Sequence, residues 1–88
     1  VLRNTDNQVI IEGHTDNINA ISVDSQYLYS ASDDGTIRVF AKSDWSLQTS
    51  IDPGIGGILD LVQDDRHVYF ACADGNVRYV PKEKIVTH

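Results

Sequence analysis

The stretch that decides the fold is residues 30–40, which read SASDDGTIRVF. Small residues lead into the turn sequence Asp33-Asp34-Gly35, and the residues after the turn alternate between apolar and polar. An Asp-Gly pair between alternating runs is the strongest short-range signal for a β-hairpin. Because Asp33 precedes the pair, the loop can be longer than the usual length of about two residues. We therefore predict two antiparallel strands joined at this turn.

The same pattern returns 40 residues later, where residues 70–80 read FACADGNVRYV. When the chain is compared with itself at a shift of 40 residues, eight identities fall between residues 18–42 and residues 58–82. A period near 40 residues with strand-type alternation is typical of the blades of a β-propeller. The identities are Ile18/Ile58, Asp24/Asp64, Tyr29/Tyr69, Ala31/Ala71, Asp34/Asp74, Gly35/Gly75, Arg38/Arg78 and Lys42/Lys82.

Each repeat predicts a series of short strands. The predicted strands are residues 18–23, 27–32, 36–41 and 46–51 in the first repeat, and 58–63, 67–72 and 76–80 in the second. Pro81 ends the last of these, and the charged tail after it makes a poor fourth strand. The expected architecture is all-β, with two four-stranded antiparallel blades that are completed into a ring by oligomerisation.

The domain organisation follows from the repeat. We assign residues 1–13 to an outer strand of the preceding blade, residues 14–53 to the first blade and residues 54–88 to the second. An exposed strand edge invites pairing with another chain. We therefore expect the leading strand to pair with residues 76–80 of an adjacent copy. The residues of this inter-subunit strand are Gln8, Val9, Ile10, Ile11 and Glu12.

Residues 13–40, GHTDNINAISVDSQYLYSASDDGTIRVF, resemble a WD repeat. The Gly-His pair at the start, the SAS triplet, the turn aspartate and the final aromatic residue fall at the spacing of that family. In the family a His, a Ser, the turn Asp and a terminal Trp hydrogen-bond to one another and lock the blade. The resemblance implies that His14, Ser30 and Asp34 form three parts of this structural polar network. Phe40 stands at the fourth position and has no N–H to donate.

The second repeat departs further from the family pattern. It keeps Asp74 and Gly75, but Gly54, Phe70 and Val80 stand where the His, Ser and Trp would be. The resemblance therefore implies a degenerate second blade that is held by packing. Other propeller families with a similar turn remain alternative relatives.

His14, Ser30 and Asp34 are also of the three residue types, His, Ser and Asp, that form the catalytic triad of many hydrolases. A triad serine needs an exposed position on a sharp turn and a nearby oxyanion hole. Ser30 lies instead within a predicted buried strand, and no oxyanion-hole loop is apparent. We therefore expect a buried network that makes the fold unique and no enzyme activity.

Charge and composition argue against several classes of partner. The chain has seven Lys and Arg residues against 13 Asp and Glu, for a net charge of −6. Such a surface repels nucleic acid and anionic membranes. Neither the acidic residues nor the histidines have the spacing of metal ligands, so we expect no cofactor. The lone Cys72 is expected to pack as a small hydrophobe, and it leaves the compartment open with a slight lean to the cytoplasm.

Two blades cannot close a propeller ring, which holds about four to eight blades. Their outer faces would expose more apolar surface than a monomer usually does. Because the two end faces differ, copies should join head to tail, in rings of about six or eight blades. The residues expected on the bare faces are Ile18, Leu28 and Val39 at one end, and Leu61, Val68 and Tyr79 at the other.

The sequence leaves three functions open. The first is a protein–protein interaction scaffold or self-assembling subunit, with partner proteins bound at the rim loops, where Trp45 is a candidate contact or a packing residue. The second is an excised or engineered two-repeat fragment, which the lack of any methionine favours. The third is part of a propeller enzyme whose site lies in the central channel, for which only Asp60 and Ser22 qualify.

Overall fold

The computed structural model describes residues 2–5, 8–54 and 56–85 of the chain. Within those residues the chain forms nine strands and one short helix. They make a two-stranded, a four-stranded and a three-stranded sheet, in which all neighbouring strands are antiparallel. The all-β prediction is confirmed. The elements are β1 Leu2–Thr5, β2 Gln8–Ile11, β3 Ile18–Val23, β4 Tyr27–Ser32, β5 Ile37–Ala41, β6 Leu47–Ile51, β7 Ile58–Gln63, β8 His67–Cys72, β9 Val77–Pro81 and α1 Lys82–Ile85.

The four-stranded sheet of β3 to β6 contains the predicted hairpin between β4 and β5. The loop is longer than the Asp-Gly pair: the N–H of Ser32 donates to the carbonyl of Thr36, and that of Gly35 donates to Ser32. Gly35 has a φ of 88°, which favours glycine. A Cβ there would also lie 3.1 Å from the carbonyl oxygen of Gly56, in the connector between the sheets. The turn therefore requires glycine for two separate reasons.

The sheet of β7 to β9 has three strands in the described part of the chain, and these are the three strands predicted for the second repeat. After Pro81 the backbone turns into α1, and the N–H of Lys82 donates to the carbonyl of Arg66. Ile85 is buried against the core, so residues 82–85 fold back onto it. Up to Ile85, where the described residues end, the segment after Pro81 therefore adds no fourth strand to this sheet.

The leading strand β2 pairs with β1, which the sequence analysis missed. The segment Leu2–Thr5 has one apolar residue in four and carries no alternation from which a strand could be predicted. β2 ends at Ile11, so Glu12 lies outside the strand to which it was assigned. The hairpin occupies one edge of β2 and leaves the other edge for a further strand.

The core lies between the four-stranded and the three-stranded sheets. Val39, Leu61 and Val68 are buried there, so the prediction that they lie on bare outer faces was wrong. Alternation shows which residues share a face of a sheet but not which face meets the neighbouring sheet. A β-bulge after Ile18 also changes the alternation along β3. Cys72 packs in this core as predicted.

The outer faces of these two sheets carry most of the exposed large apolar side chains. Residues directly opposite each other in a sheet share a face, and the strand register gives two groups. Tyr79 was predicted correctly as exposed, as was Ile18, whereas Leu28 is half-buried. The first-sheet end face consists of Ile18, Ile21, Val23, Leu28 and Leu47, and the second-sheet end face consists of Val62, Tyr69, Ala71, Val77 and Tyr79.

The two sheets do not close a ring within the described residues. No helix in that part of the chain is long and apolar enough to cross a membrane.

Candidate functional site

The structure brings His14, Ser30 and Asp34 together at one edge of the first-sheet end face. His14 precedes β3, Ser30 lies in the middle of β4, and Asp34 lies in the turn that follows it. Nδ1 of His14 is 2.9 Å from Oδ2 of Asp34, and its Nε2 is 2.6 Å from Oγ of Ser30. Because a carboxylate only accepts hydrogen bonds, Nδ1 donates to Asp34, and Nε2 accepts from the serine hydroxyl. The histidine therefore connects a loop, a strand and a turn.

Asp34 is nearly enclosed and fully hydrogen-bonded. Besides His14, it accepts from the backbone N–H of Thr15 at 3.1 Å and of Thr36 at 2.9 Å, and from the Thr36 hydroxyl at 2.6 Å. Burial by itself would raise the pKa of Asp34, but these hydrogen bonds outweigh it and hold the pKa well below the ordinary value. The carboxylate is consequently charged at neutral pH, and the surrounding hydrogen-bond donors stabilise that charge.

Thr36 and Ser32 belong to the same network, and the sequence analysis missed both. The Thr36 hydroxyl also lies 3.3 Å from Nδ1 of His14, and Oγ of Ser32 accepts from the backbone N–H of Asp34 at 3.0 Å. Hydroxyl and carboxylate side chains two residues apart in a turn commonly bond to nearby backbone groups. This spacing was the signal that could have identified Thr36 as part of the network.

The Ser30–His14–Asp34 distances match those of a hydrolase triad, but the surroundings do not. Ser30 is 3% exposed, and the side chain of His14 above it is also 3% exposed. A catalytic serine must place its hydroxyl against a substrate carbonyl. The hydroxyl of Ser30 is instead covered by the histidine that binds it. This arrangement favours a structural role.

Gly13 permits the close approach that places His14. A Cβ on Gly13 would lie 3.3 Å from Cδ of Arg38 and 3.6 Å from Cζ of Phe40. Phe40 occupies the fourth position of the network and is 5% exposed, so it contributes packing where the family's tryptophan would donate a hydrogen bond. The segment before β3 is thus held on the sheet by contact as well as by the polar network.

In the second repeat the equivalent turn acid has a different partner. Asp74 forms a bidentate pair with Arg78, with oxygen–nitrogen distances of 2.9 and 3.1 Å. Phe70, at the position of Ser30, is buried in the core. The hydrogen bond from Arg78, followed by the backbone N–H of Asn76, lowers the pKa of Asp74. The second repeat is therefore held by packing and an ion pair.

Polar contacts between the two sheets were also missed from the sequence. The side-chain amide of Gln63 donates to Oγ of Ser22 at 2.7 Å. Nζ of Lys82 lies 3.1 Å from Oδ2 of Asp24, across the groove between the sheets. The Asp24/Asp64 and Lys42/Lys82 identities in the repeat were the signal that could have indicated this ion pair.

Asp24 and Asp64 organise equivalent turns in the two sheets. Each carboxylate accepts two backbone N–H groups and one tyrosine hydroxyl, from Tyr29 at 2.9 Å and from Tyr69 at 2.8 Å respectively. Hydrogen bonds, the first from the N–H of Arg66, lower the pKa of Asp64 to about 2. The two acids therefore hold the turns that follow β3 and β7.

Trp45, the candidate contact for a partner, is half-buried in the loop between β5 and β6. Its φ of 63° lies in the left-handed region, and its backbone N–H donates to the backbone carbonyl of Ala41 at 2.7 Å. The ring lines an open groove together with His14, Phe40 and Leu47.

Within the described residues, no group of three or more His, Cys, Asp or Glu side chains could hold a metal ion.

Comparison with known proteins identifies both the repeat and the fold. Residues 6–40 match the family model of the WD domain, G-beta repeat. The chain is similar to the computationally designed Ika4 protein with a TM-score of 0.76 and 24% identity, over 93% of this chain and 50% of that chain. It is similar to the designed Ika8 protein with a TM-score of 0.74 and 23% identity, over 91% of this chain and 32% of that chain.

Both structural neighbours are designed β-propellers, and at these identities they show the fold alone. The chain spans half the length of Ika4 and less of Ika8. No curated protein matches it. The repeat, the sheet order and the packing of the two sheets lead to one conclusion: the chain has a β-propeller fold without a closed ring, and residues 6–40 of it match a WD repeat.

Proposed function

We propose that this chain is a non-catalytic β-propeller module that assembles head to tail with copies of itself into a ring. The rim loops of the ring would then serve as a scaffold for partner proteins. The observation that carries the proposal is the pair of apolar end faces, on which Val77 is 74% and Ile21 is 65% exposed. Apolar faces of this kind mark interaction surfaces in soluble proteins.

The two end faces are suited to each other because they repeat a contact that already exists inside the chain. The inner face of the first sheet packs against the inner face of the second. At a shift of 40 residues, Tyr29, Ala31, Ile37 and Val39 of the first inner face correspond to Tyr69, Ala71, Val77 and Tyr79 of the second-sheet end face. Likewise, Leu61 and Val68 of the second inner face correspond to Ile21 and Leu28 of the first-sheet end face. A contact between unlike faces is heterologous and closes into a ring when the rotation fits.

The β-strands support the same order of copies. β9 is the edge strand of the second sheet. At the equivalent place in the first sheet, β6 pairs with β5 as a fourth strand. In the first sheet Ile51 lies opposite Ile37, and Thr49 lies opposite Val39. At a shift of 40 residues, β2 of a neighbouring copy would place Ile11 opposite Val77 and Val9 opposite Tyr79. We propose this strand exchange as the completion of the second blade, with residues 14–53 and 54–88 as the two blades.

The network of His14, Ser30 and Asp34 has a structural role in this proposal. It holds the segment that follows β2 against the edge of the first-sheet end face. If β2 completes the blade of a neighbouring copy, this network fixes the direction in which the strand leaves. Satisfied buried networks of this kind favour one arrangement over its alternatives.

A second candidate is that the chain forms part of a longer propeller, whose flanking blades cover the same end faces. The structural neighbours favour it, because the chain covers 50% and 32% of their lengths. An enzyme with its site in the central channel has less support. Ser22 is engaged by Gln63, and a carboxylate oxygen of Asp60 accepts from the N–H of Leu61.

Substitution on an end face separates these candidates. Sedimentation equilibrium of Val77→Lys should show association weakened about tenfold or more relative to the unmodified chain, because a lysine would replace an apolar contact. Ser43→Lys adds the same charge on an exposed loop and serves as the matched control. If the unmodified chain sediments as a monomer at all concentrations, self-assembly is wrong and the longer propeller is favoured.

Deletion of residues 1–12 tests the strand exchange separately. The deletion removes β1 and β2 but leaves both end faces in place. We expect the assembly to dissociate at concentrations at which the full chain stays associated. An unchanged mass in solution would refute the exchange of β2 while leaving face-to-face packing in place.

A further inference from the structure

We propose that Asp64 of one copy binds the ammonium group of Lys42 of the next copy, as an ion pair that sets the order of blades around the ring. The inference rests on the proposed head-to-tail assembly, and it commits the second-sheet end face to one occupant, a second copy of this chain. It follows from an ion pair already present inside the chain, between Asp24 and Lys82.

The two carboxylates share their turn and tyrosine contacts, while Asp64 additionally has Nδ1 of His67 at 3.8 Å from its Oδ1. Oδ1 of Asp24 accepts from the backbone N–H groups of the second and third residues after it, as does Oδ1 of Asp64. Oδ2 accepts from Tyr29 in one case and from Tyr69 in the other. The difference is that Oδ2 of Asp24 also accepts from a lysine, whereas Asp64 has no lysine partner among the residues that the structure describes. Oδ2 of Asp64 therefore presents the same acceptor to a neighbouring copy, without the lysine that Oδ2 of Asp24 binds.

The two lysines are equivalent in their backbone contacts. The N–H of Lys82 donates to Arg66 at 2.7 Å, and that of Lys42 donates to Gln26 at 2.9 Å, one repeat earlier. From this position Lys82 reaches back to the preceding sheet. Lys42 has no preceding blade within the described chain, and its Nζ donates to the backbone carbonyl of Asp24 in its own sheet. In a head-to-tail ring, the same reach would bring Lys42 to the preceding copy's second sheet, where Asp64 lies.

The remaining contacts distinguish the interface between copies from the interface within the chain. Inside the chain, Ser22 and Gln63 form a polar pair between the sheets. Their repeat equivalents are Val62 and Val23, which are exposed on opposite end faces. The contact between copies would therefore combine an apolar valine pair with the ion pair. If the inner face of the second sheet packed instead on the second-sheet end face of another copy, the Gln63 amide would lie against Val62. It would then lose its hydrogen-bond partner, which is unfavourable.

Charge reversal followed by rescue tests the ion pair. Lys42→Glu sets two carboxylates against each other, so the dissociation constant of the assembly should rise about five- to tenfold at low salt. Adding Asp64→Asn removes the repulsion while keeping a side-chain oxygen that accepts the turn N–H groups. The double variant should recover at least half of the lost affinity, measured as the logarithm of the dissociation constant. Lys84→Glu has the same net charge as Lys42→Glu and is exposed on α1, so it is the matched control.

The outcomes separate the ion pair from the assembly itself. If the unmodified chain associates and Lys42→Glu behaves like Lys84→Glu, the ion pair is wrong and the assembly stands. If Lys42→Glu weakens association but Asp64→Asn does not restore it, Lys42 acts through another group and the inference also fails. If the unmodified chain does not associate, the proposed assembly fails and the ion pair fails with it. Far-UV circular dichroism of each variant verifies that the sheets remain folded.

Discussion

The hydroxyl of Ser30 lies 2.6 Å from Nε2 of His14, and this contact joins the middle of β4 to the segment that precedes β3. Ser30→Ala would leave a buried ring nitrogen without a partner. The free energy of unfolding should fall by about 1–3 kcal/mol, as measured by urea denaturation. Ser43→Ala, on an exposed loop, should change it by less than about 0.5 kcal/mol. Equal stability of the two variants would contradict a structural role for the network.

The low pKa of Asp34 predicts a dependence of stability on pH. Because its pKa is lower in the folded than in the unfolded chain, the stabilisation is present above the unfolded value of about 3.9 and is lost as the pH falls towards the folded value. We expect the unfolding free energy to decrease from about pH 4 to pH 2, and to decrease less steeply in Asp34→Asn. Asp16→Asn, outside the network, should keep the slope of the unmodified chain.

The pair between Ser22 and Gln63 predicts non-additive substitutions. Ser22→Val alone removes the acceptor of a partly buried amide, and should cost about 1–3 kcal/mol of stability. Oε1 of Gln63 is already buried without a hydrogen bond. The double variant with Gln63→Val, which copies the valines of the end faces, should therefore be close to the unmodified chain in stability. Additive losses in a double-mutant cycle would show that the pair does not act as a unit.

The left-handed backbone at Trp45 predicts a clear order of replacements. Asparagine adopts this conformation readily, whereas a β-branched residue is strained there by about 1–2 kcal/mol. Trp45→Asn should therefore be more stable to thermal unfolding than Trp45→Val. The reverse order would mean that packing of the ring in its groove, and not the backbone, determines what this loop tolerates.

The hairpin turn was predictable because Asp34 and Gly35 encode a local backbone conformation. The repeat was equally predictable, since it rests on identities at a fixed spacing. The inner-face positions of Val39 and Val68 were not predictable, because alternation alone does not say which side of a sheet its neighbour covers. That choice depends on how the two sheets pack, which is a property of the whole chain.

The site was predictable only where a family resemblance supplied it. His14 and Asp34 are 20 residues apart, and no local pattern connects them. Thr36 was missed because a threonine after a turn also begins many strands. The ion pair between Asp24 and Lys82 joins residues 58 positions apart, and it becomes visible only when the two repeats are superposed in space.

Native mass spectrometry of the purified 88-residue chain tests the central claim most directly, because it counts copies. The head-to-tail model predicts one dominant closed species of about three or four chains, which corresponds to a ring of about six or eight blades. A mass of one chain at micromolar concentration would contradict it, and so would a symmetric dimer that does not associate further.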